Sequence, residues 1–169
     1  MTIPLPIETA RLLIRPFDGA DVDAMAAIYG DPEVMRHVDL GVLDRDGTAT
    51  LLEEYRRAQD RRGFSTWAVV EKASGDVVGD VGFGVYAPTG EPELGYTLVA
   101  AVWGRGYAFE AARACVAAAF AHLPHPRLLA KVEPENERSL RLTERLEMQT
   151  VETIAVGARL HLLLAVERG

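Results

Sequence analysis

Cysteine is almost missing from this chain. Cys115 is the only one among 169 residues, so no intrachain disulfide can form and nothing points to an oxidising compartment. Basic charge is outnumbered, 18 residues against 25 acidic ones for a formal net charge of −7, and only Lys72 and Lys131 are lysines. No window carries the Lys/Arg stripe that a phosphate-backbone binder needs, which argues against nucleic acid as a partner. Long apolar runs are lacking too. The longest, Ala111 to Ala121, is interrupted by Arg113 and falls short of the roughly 18 residues of a membrane span. Met1 to Arg11 has no basic segment followed by an apolar one, so the expectation is a cytoplasmic protein without a membrane partner. Four histidines without Cys/His ligand spacing predict no metal site. Repeats, low-complexity tracts and Pro/Ser linkers are absent, and residues 1–169 read as one domain.

What is present alternates between strand and helix signals. Leu12, Leu13 and Ile14 mark a short strand, after which Asp18 and Asp21 match a capping box for a helix carrying Val22, Met25, Ile28 and Tyr29. Asp31-Pro32 restarts the chain into a short helix with Val34, Met35 and Val38. Thr48 to Arg62 is amphipathic and stops at Gly63. Trp67–Glu71 and Val77–Tyr86 read as strands joined by the turn Ala73-Ser74-Gly75-Asp76, and Glu93–Val99 as another. An Ala-rich helix over Ala108–Leu123 is apolar nearly all round and must pack on a sheet. A strand at Arg127–Glu133, a helix over Asn136–Leu146 and a hairpin of Thr150–Ala155 with Leu160–Val166 complete the chain. The order is that of an α/β or α+β sheet, not of a repeated dinucleotide-binding unit. Trp67, Phe64 and Cys115 read as core packing.

The segment Trp103-Gly104-Arg105-Gly106-Tyr107-Ala108 lies between a strand and the Ala-rich helix. There, backbone N–H groups and the positive end of the helix dipole make an anion site. A tight strand-to-helix turn uses the same glycines. No Lys-Ser/Thr follows Gly106 and no third glycine arrives in register, which excludes a P-loop and a dinucleotide fingerprint.

WGRGYAFEAA resembles the acetyl-CoA pyrophosphate loop of the GNAT N-acetyltransferase superfamily, with Gly106 and Ala108 on its small positions and Trp103 where Gln or Arg is usual. ETARLLIRPF (Glu8–Phe17), DPEVMRHV (Asp31–Val38), ELGYTLV (Glu93–Val99) and NERSLRLTERLEM (Asn136–Met148) resemble, in order, the ribosomal-protein N-acetyltransferase (RimJ/RimL-like) branch. That resemblance implies a mixed, mostly antiparallel twisted sheet of six to seven strands, splayed between Glu93–Val99 and Arg127–Glu133 and flanked by about four helices. It also implies acetyl-CoA as cofactor, with pantetheine held by backbone groups at Leu98 and Val99. The pyrophosphate then falls to Trp103, Gly104, Arg105, Gly106, Tyr107, Ala108 and Phe109. Asn136 caps its helix and touches the pantetheine arm.

Direct acetyl transfer to an amine needs a neutral amine and a proton for the departing thiolate. Glu93 matches the base carboxylate of some superfamily members; a solvated strand-end glutamate is the other reading. Glu91, Asp80 and Glu152 rank lower, since nothing in the sequence brings them to the splay. Many members carry a Tyr seven residues after the Asn as general acid, but Thr143 stands there; Ser139, three residues after Asn136, matches the serine that the ribosomal-protein branch uses for the thiolate proton, and an ordinary serine of a first helical turn is the other reading. The same helix ends in Glu147-Met148 instead of Gly-Phe. Tyr29 and His37 fall in the helical lip that shapes acceptor sites in the family. The expected reaction is acetylation of a primary amine, foremost a protein or peptide N-terminus, with a small aminoglycoside-like amine as the alternative and non-catalytic acyl-CoA binding as a third reading. The closing strands offer an edge for a homodimer.

Overall fold

The computed structural model describes all residues, 1–169. Eight strands form one sheet: β1 (Ile7–Glu8), β2 (Leu12–Arg15), β3 (Thr66–Glu71), β4 (Val77–Tyr86), β5 (Glu91–Leu98), β6 (Arg127–Val132), β7 (Gln149–Val156) and β8 (Arg159–Glu167). Their order is β1-β2-β3-β4-β5-β6-β8-β7. Every neighbouring pair is antiparallel except β5 and β6, which are parallel. The sheet has one strand more than expected. A two-residue strand, β1, lies below any periodicity signal and exists because β2 offers it an edge.

Four helices flank the sheet: α1 (Val22–Tyr29), α2 (Arg45–Arg62), α3 (Tyr107–His122) and α4 (Glu137–Arg145). The capping box of Asp18 and Asp21 is present, but it closes a 3-10 turn that leads into α1. The short helix after Pro32 is also 3-10, over Val34–His37. Helix α2 starts three residues earlier than its apolar face suggests, because the Asp44 side chain accepts from the Gly47 N–H and supplies the cap.

Strand alternation sorts the core into two faces. Leu94 and Leu98 of β5 join Val81, Phe83, Leu128, Ala130 and Val132 under α3, whose Ala111, Ala112, Cys115 and Ala119 present almost no side-chain bulk. Small residues let this helix lie close on the sheet. Phe17, Met25, Ile28, Tyr29 and Leu52 cover the opposite face, where α1 and α2 pack. The register of β5 against β6 positions the site. Only Glu93↔Leu129 and Leu94↔Ala130 pair, and beyond Leu94 the two strands diverge. The Glu91 carboxylate holds Arg127 through a two-pronged ion pair at the paired end, with 2.9 Å for the longer contact. That pair holds the Glu91 carboxyl down at about 2.

Candidate functional site

The divergence of β5 and β6 leaves peptide groups without partners. Val99 donates to the Val78 carbonyl, and the antiparallel register of β4 and β5 then turns the peptide groups of Thr97 toward β4 and those of Tyr96 and Leu98 toward the opening. The Leu98 carbonyl is taken by the Trp103 indole N–H at 2.9 Å. Val99 corrects the expectation made for it. Its N–H and its carbonyl are both used, the carbonyl by the Val102 N–H, so the edge groups left in the opening are those of Tyr96 and the Leu98 N–H.

The opening widens into a cavity of about 820 Å³ that reaches both faces of the sheet. On the α3 face it is lined by Trp103, Gly104, Gly106, Tyr107, Ala108 and Phe109. Gly104 and Gly106 have φ of 78° and 81°, left-handed values that a side chain would strain. The first bond of α3 runs from the Glu110 N–H to the Gly106 carbonyl, so the N–H groups of Tyr107, Ala108 and Phe109 have no acceptor within the helix. Arg11, at the centre of the first motif, braces this loop. It donates to the Arg105 carbonyl at 2.8 Å, binds Glu110 through its backbone N–H and guanidinium, and stacks on Tyr107. Arg105 itself turns outward to Glu71 and does not line the cavity, and the Tyr107 hydroxyl is spent on Glu71 at 2.5 Å.

Helix α4 forms the other wall of this half. Asn136 caps it, accepting from the Ser139 N–H at 3.3 Å, and both residues line the cavity. Arg138, Arg141 and Arg145 line it as well. Arg138 stacks on Trp103 at 3.8 Å and Arg145 on Phe109 at 3.7 Å. The sequence reading missed these three, although their spacing of three and four residues marks one helix face. The Thr143 hydroxyl donates to the Leu140 carbonyl, and its side chain is buried in the cavity wall. Glu147 keeps the left-handed conformation, φ 60°, that Gly takes at this helix end in the family pattern. Beside Ser139 stands Tyr96 of β5. Its hydroxyl is buried without a hydrogen-bond partner, and burial pushes it up to about 12 against the pull of Ser139.

The half on the α1–α2 face is acidic. Glu93 meets the Lys131 ammonium at 3.4 Å; burial pushes its carboxyl above the ordinary range while Lys131 opposes the rise. Lys131 also reaches Asp39, and Asp39 reaches His161. His37 lies at the rim, its Nδ1 3.5 Å from Glu133. Asp39, Glu133 and His161 converge closely enough for three ligands, but Lys131 and Arg159 neutralise the carboxylates, so ion pairing explains the cluster. Tyr29 lines the cavity but is buried, and its hydroxyl donates to Asp80 at 2.6 Å. Asp80, ranked low from sequence, lines the cavity beside Tyr29, Tyr55 and Thr97. Burial pushes its carboxyl up to about 7, and no cation pairs with it. Glu91 is consumed by Arg127, and Glu152 is exposed on β7 outside the cavity.

The donor set fits a coenzyme A thioester: unpaired N–H groups and arginines suit the phosphates, and the unpaired edge of β5 suits an amide-bearing arm. A family model described as the acetyltransferase (GNAT) domain matches residues 11–149. The chain is 29% identical to an uncharacterized N-acetyltransferase, p20, of Bacillus licheniformis, over 83% of this chain and 80% of that one. A crystal structure of a GNAT-family acetyltransferase from Bacillus anthracis superposes with a TM-score of 0.86 at 25% identity, covering 97% of this chain and 99% of the other. RimL, a ribosomal L7/L12 α-N-protein acetyltransferase in complex with coenzyme A, shares the fold with a TM-score of 0.85 at 14% identity, over 96% and 98% of the two chains.

Proposed function

Because the chain belongs to the acetyltransferase (GNAT) domain family and is thus an acetyl-CoA-dependent N-acetyltransferase, we propose that it acetylates a primary amine entering on the α1–α2 face of the sheet. The observation that carries this reading is the polarised opening between β5 and β6, with arginines and free N–H groups on one face and carboxylates on the other. Acetyl-CoA supplies the activated acetyl thioester. The chain's residues do the rest. N–H groups of Tyr107, Ala108 and Phe109, with Arg138, Arg141 and Arg145, hold phosphate charge, and the Asn136 side chain together with the Tyr96 and Leu98 peptide groups orients the arm. Glu93 takes the proton from the acceptor ammonium, a transfer helped by the raised affinity of its buried carboxylate for a proton. Ser139, at the positive end of α4, serves the delivery of a proton to the departing thiolate.

A protein or peptide N-terminus is the acceptor that the RimL-like branch favours. One observation supports a second reading, a small amine with two ammonium groups. Asp80 is a buried carboxylate with no cation, on the same sheet face as Glu93 and about 13 Å from it by strand rise. Thiol release from acetyl-CoA tests both with N-terminal peptides, monoamines and diamines. Preference for peptides supports the first reading, preference for diamines that Asp80→Asn abolishes supports the second, and no release with any amine overturns the assignment.

A further inference from the structure

Tyr96 is a half-buried side chain whose ring packs on the core but whose hydroxyl the fold does not use. Its hydroxyl finds no partner although it is shut off from solvent, a state that costs stability unless something else engages it. Its place is defined by β5. Leu94, Tyr96 and Leu98 point to the α3 face, where the phosphate-holding groups lie. The parallel pairing Leu94↔Ala130 puts Val132 level with Tyr96 across the opening, and α4 begins five residues after Val132. Tyr96 and Ser139 thus approach one volume from opposite walls, and both line the cavity. Thr143, at the position where a phenol stands in many members of the superfamily, has its hydroxyl tied to the Leu140 carbonyl.

We infer that the Tyr96 hydroxyl, entering from the strand, is the direct proton donor to the departing sulfur, with Ser139 relaying protons behind it. This rests on the acetyltransferase reading. As the C–N bond replaces the C–S bond, Glu93 holds the proton taken from the acceptor ammonium. The Tyr96 hydroxyl gives its proton to sulfur, which leaves with the electron pair of the broken bond. The second proton shed by the nitrogen restores the phenol through the Ser139 hydroxyl. The positive end of α4 stabilises the sulfur anion beside the phenol.

The test is Tyr96→Phe, which removes only the unpartnered oxygen. Expected results are an unchanged or slightly higher Tm without ligand, a coenzyme A dissociation constant within threefold of wild type, and a kcat loss of about tenfold to hundredfold with little change in KM. The thiol of bound coenzyme A, titrated by its thiolate absorbance, should have a higher pKa in Tyr96→Phe, since a donor to the sulfur anion has gone. The double variant with Ser139→Ala should lose little more than the worse single variant. An unchanged bound-thiol pKa with unchanged kcat overturns the inference, as does a fall in Tm with full activity. A wild type that releases no thiol with any amine overturns the enzyme reading instead, and the two failures are thereby distinct.

Discussion

At the residue scale, two carboxylates on one sheet face differ because only one has a cation. Glu93 shares Lys131 with Asp39, whereas Asp80 has Tyr29 as donor and no counter-charge. Glu93→Gln should lower kcat by at least about tenfold at neutral pH, and the deficit should shrink toward the amine pKa near 10, where free amine forms without a base. A loss that is constant across pH rejects Glu93 as proton acceptor. Asp80 carries a different pH signature. Its folded pKa of about 7 lies above its ordinary value of 3.8, so between these values the folded chain keeps a proton that the unfolded chain sheds. Stability from this group is full below about pH 4 and is lost as pH rises through about 7. Asp80→Asn should therefore narrow the Tm difference between about pH 5 and 8; an unaltered difference excludes the assignment. That Glu93 and Ser139 line the opening was legible because motif order singled them out. Asp80 and Tyr96 were not, because burial without a counter-charge or without a hydrogen-bond partner is a property of three dimensions.

At the element scale, the site is built from ends of elements. The start of α3 offers its N–H groups only because Gly104 and Gly106 turn the chain into it with positive φ. Gly106→Ala should cost about 1–2 kcal/mol in denaturant unfolding and raise the KM for acetyl-CoA. Space is not the cause, since an added Cβ meets nothing nearer than the Arg11 guanidinium at 3.5 Å. A wild-type KM would show that the loop does not hold the cofactor. The loop and both flanking elements were legible from their glycines and apolar periods. Arg11 was legible as part of a motif but not as the brace of a loop 94 residues away. Val99 was misjudged for a related reason, because which peptide groups of β5 face the opening depends on the hydrogen-bond phase against β4, not on composition.

At the scale of the whole molecule, cofactor binding must show as stability. Acetyl-CoA at a hundred times its dissociation constant should add about 2.7 kcal/mol, a rise in Tm of roughly 5 to 10 °C, and no rise would remove the cofactor from the account. Strand β7 ends the sheet with an unpaired edge and with Val151 and nearby Leu160 exposed, which supports the homodimer proposed from the closing strands. Sedimentation at micromolar concentration should then give twice 18.4 kDa, and a single-chain mass rejects it. The sequence by itself determined the alternation of strands and helices, the loop between Trp103 and Ala108, and the family, because local periodicity, turn chemistry and motif order are one-dimensional properties. Tertiary structure alone decided that β5 and β6 part after Leu94, that Arg138 and Arg145 of α4 stack on Trp103 and Phe109, that the Tyr96 hydroxyl is shut off without a partner, and that Asp80 is buried without a counter-charge. Those outcomes depend on register and on which surfaces the packed layers exclude from water, and neither exists until the chain has folded.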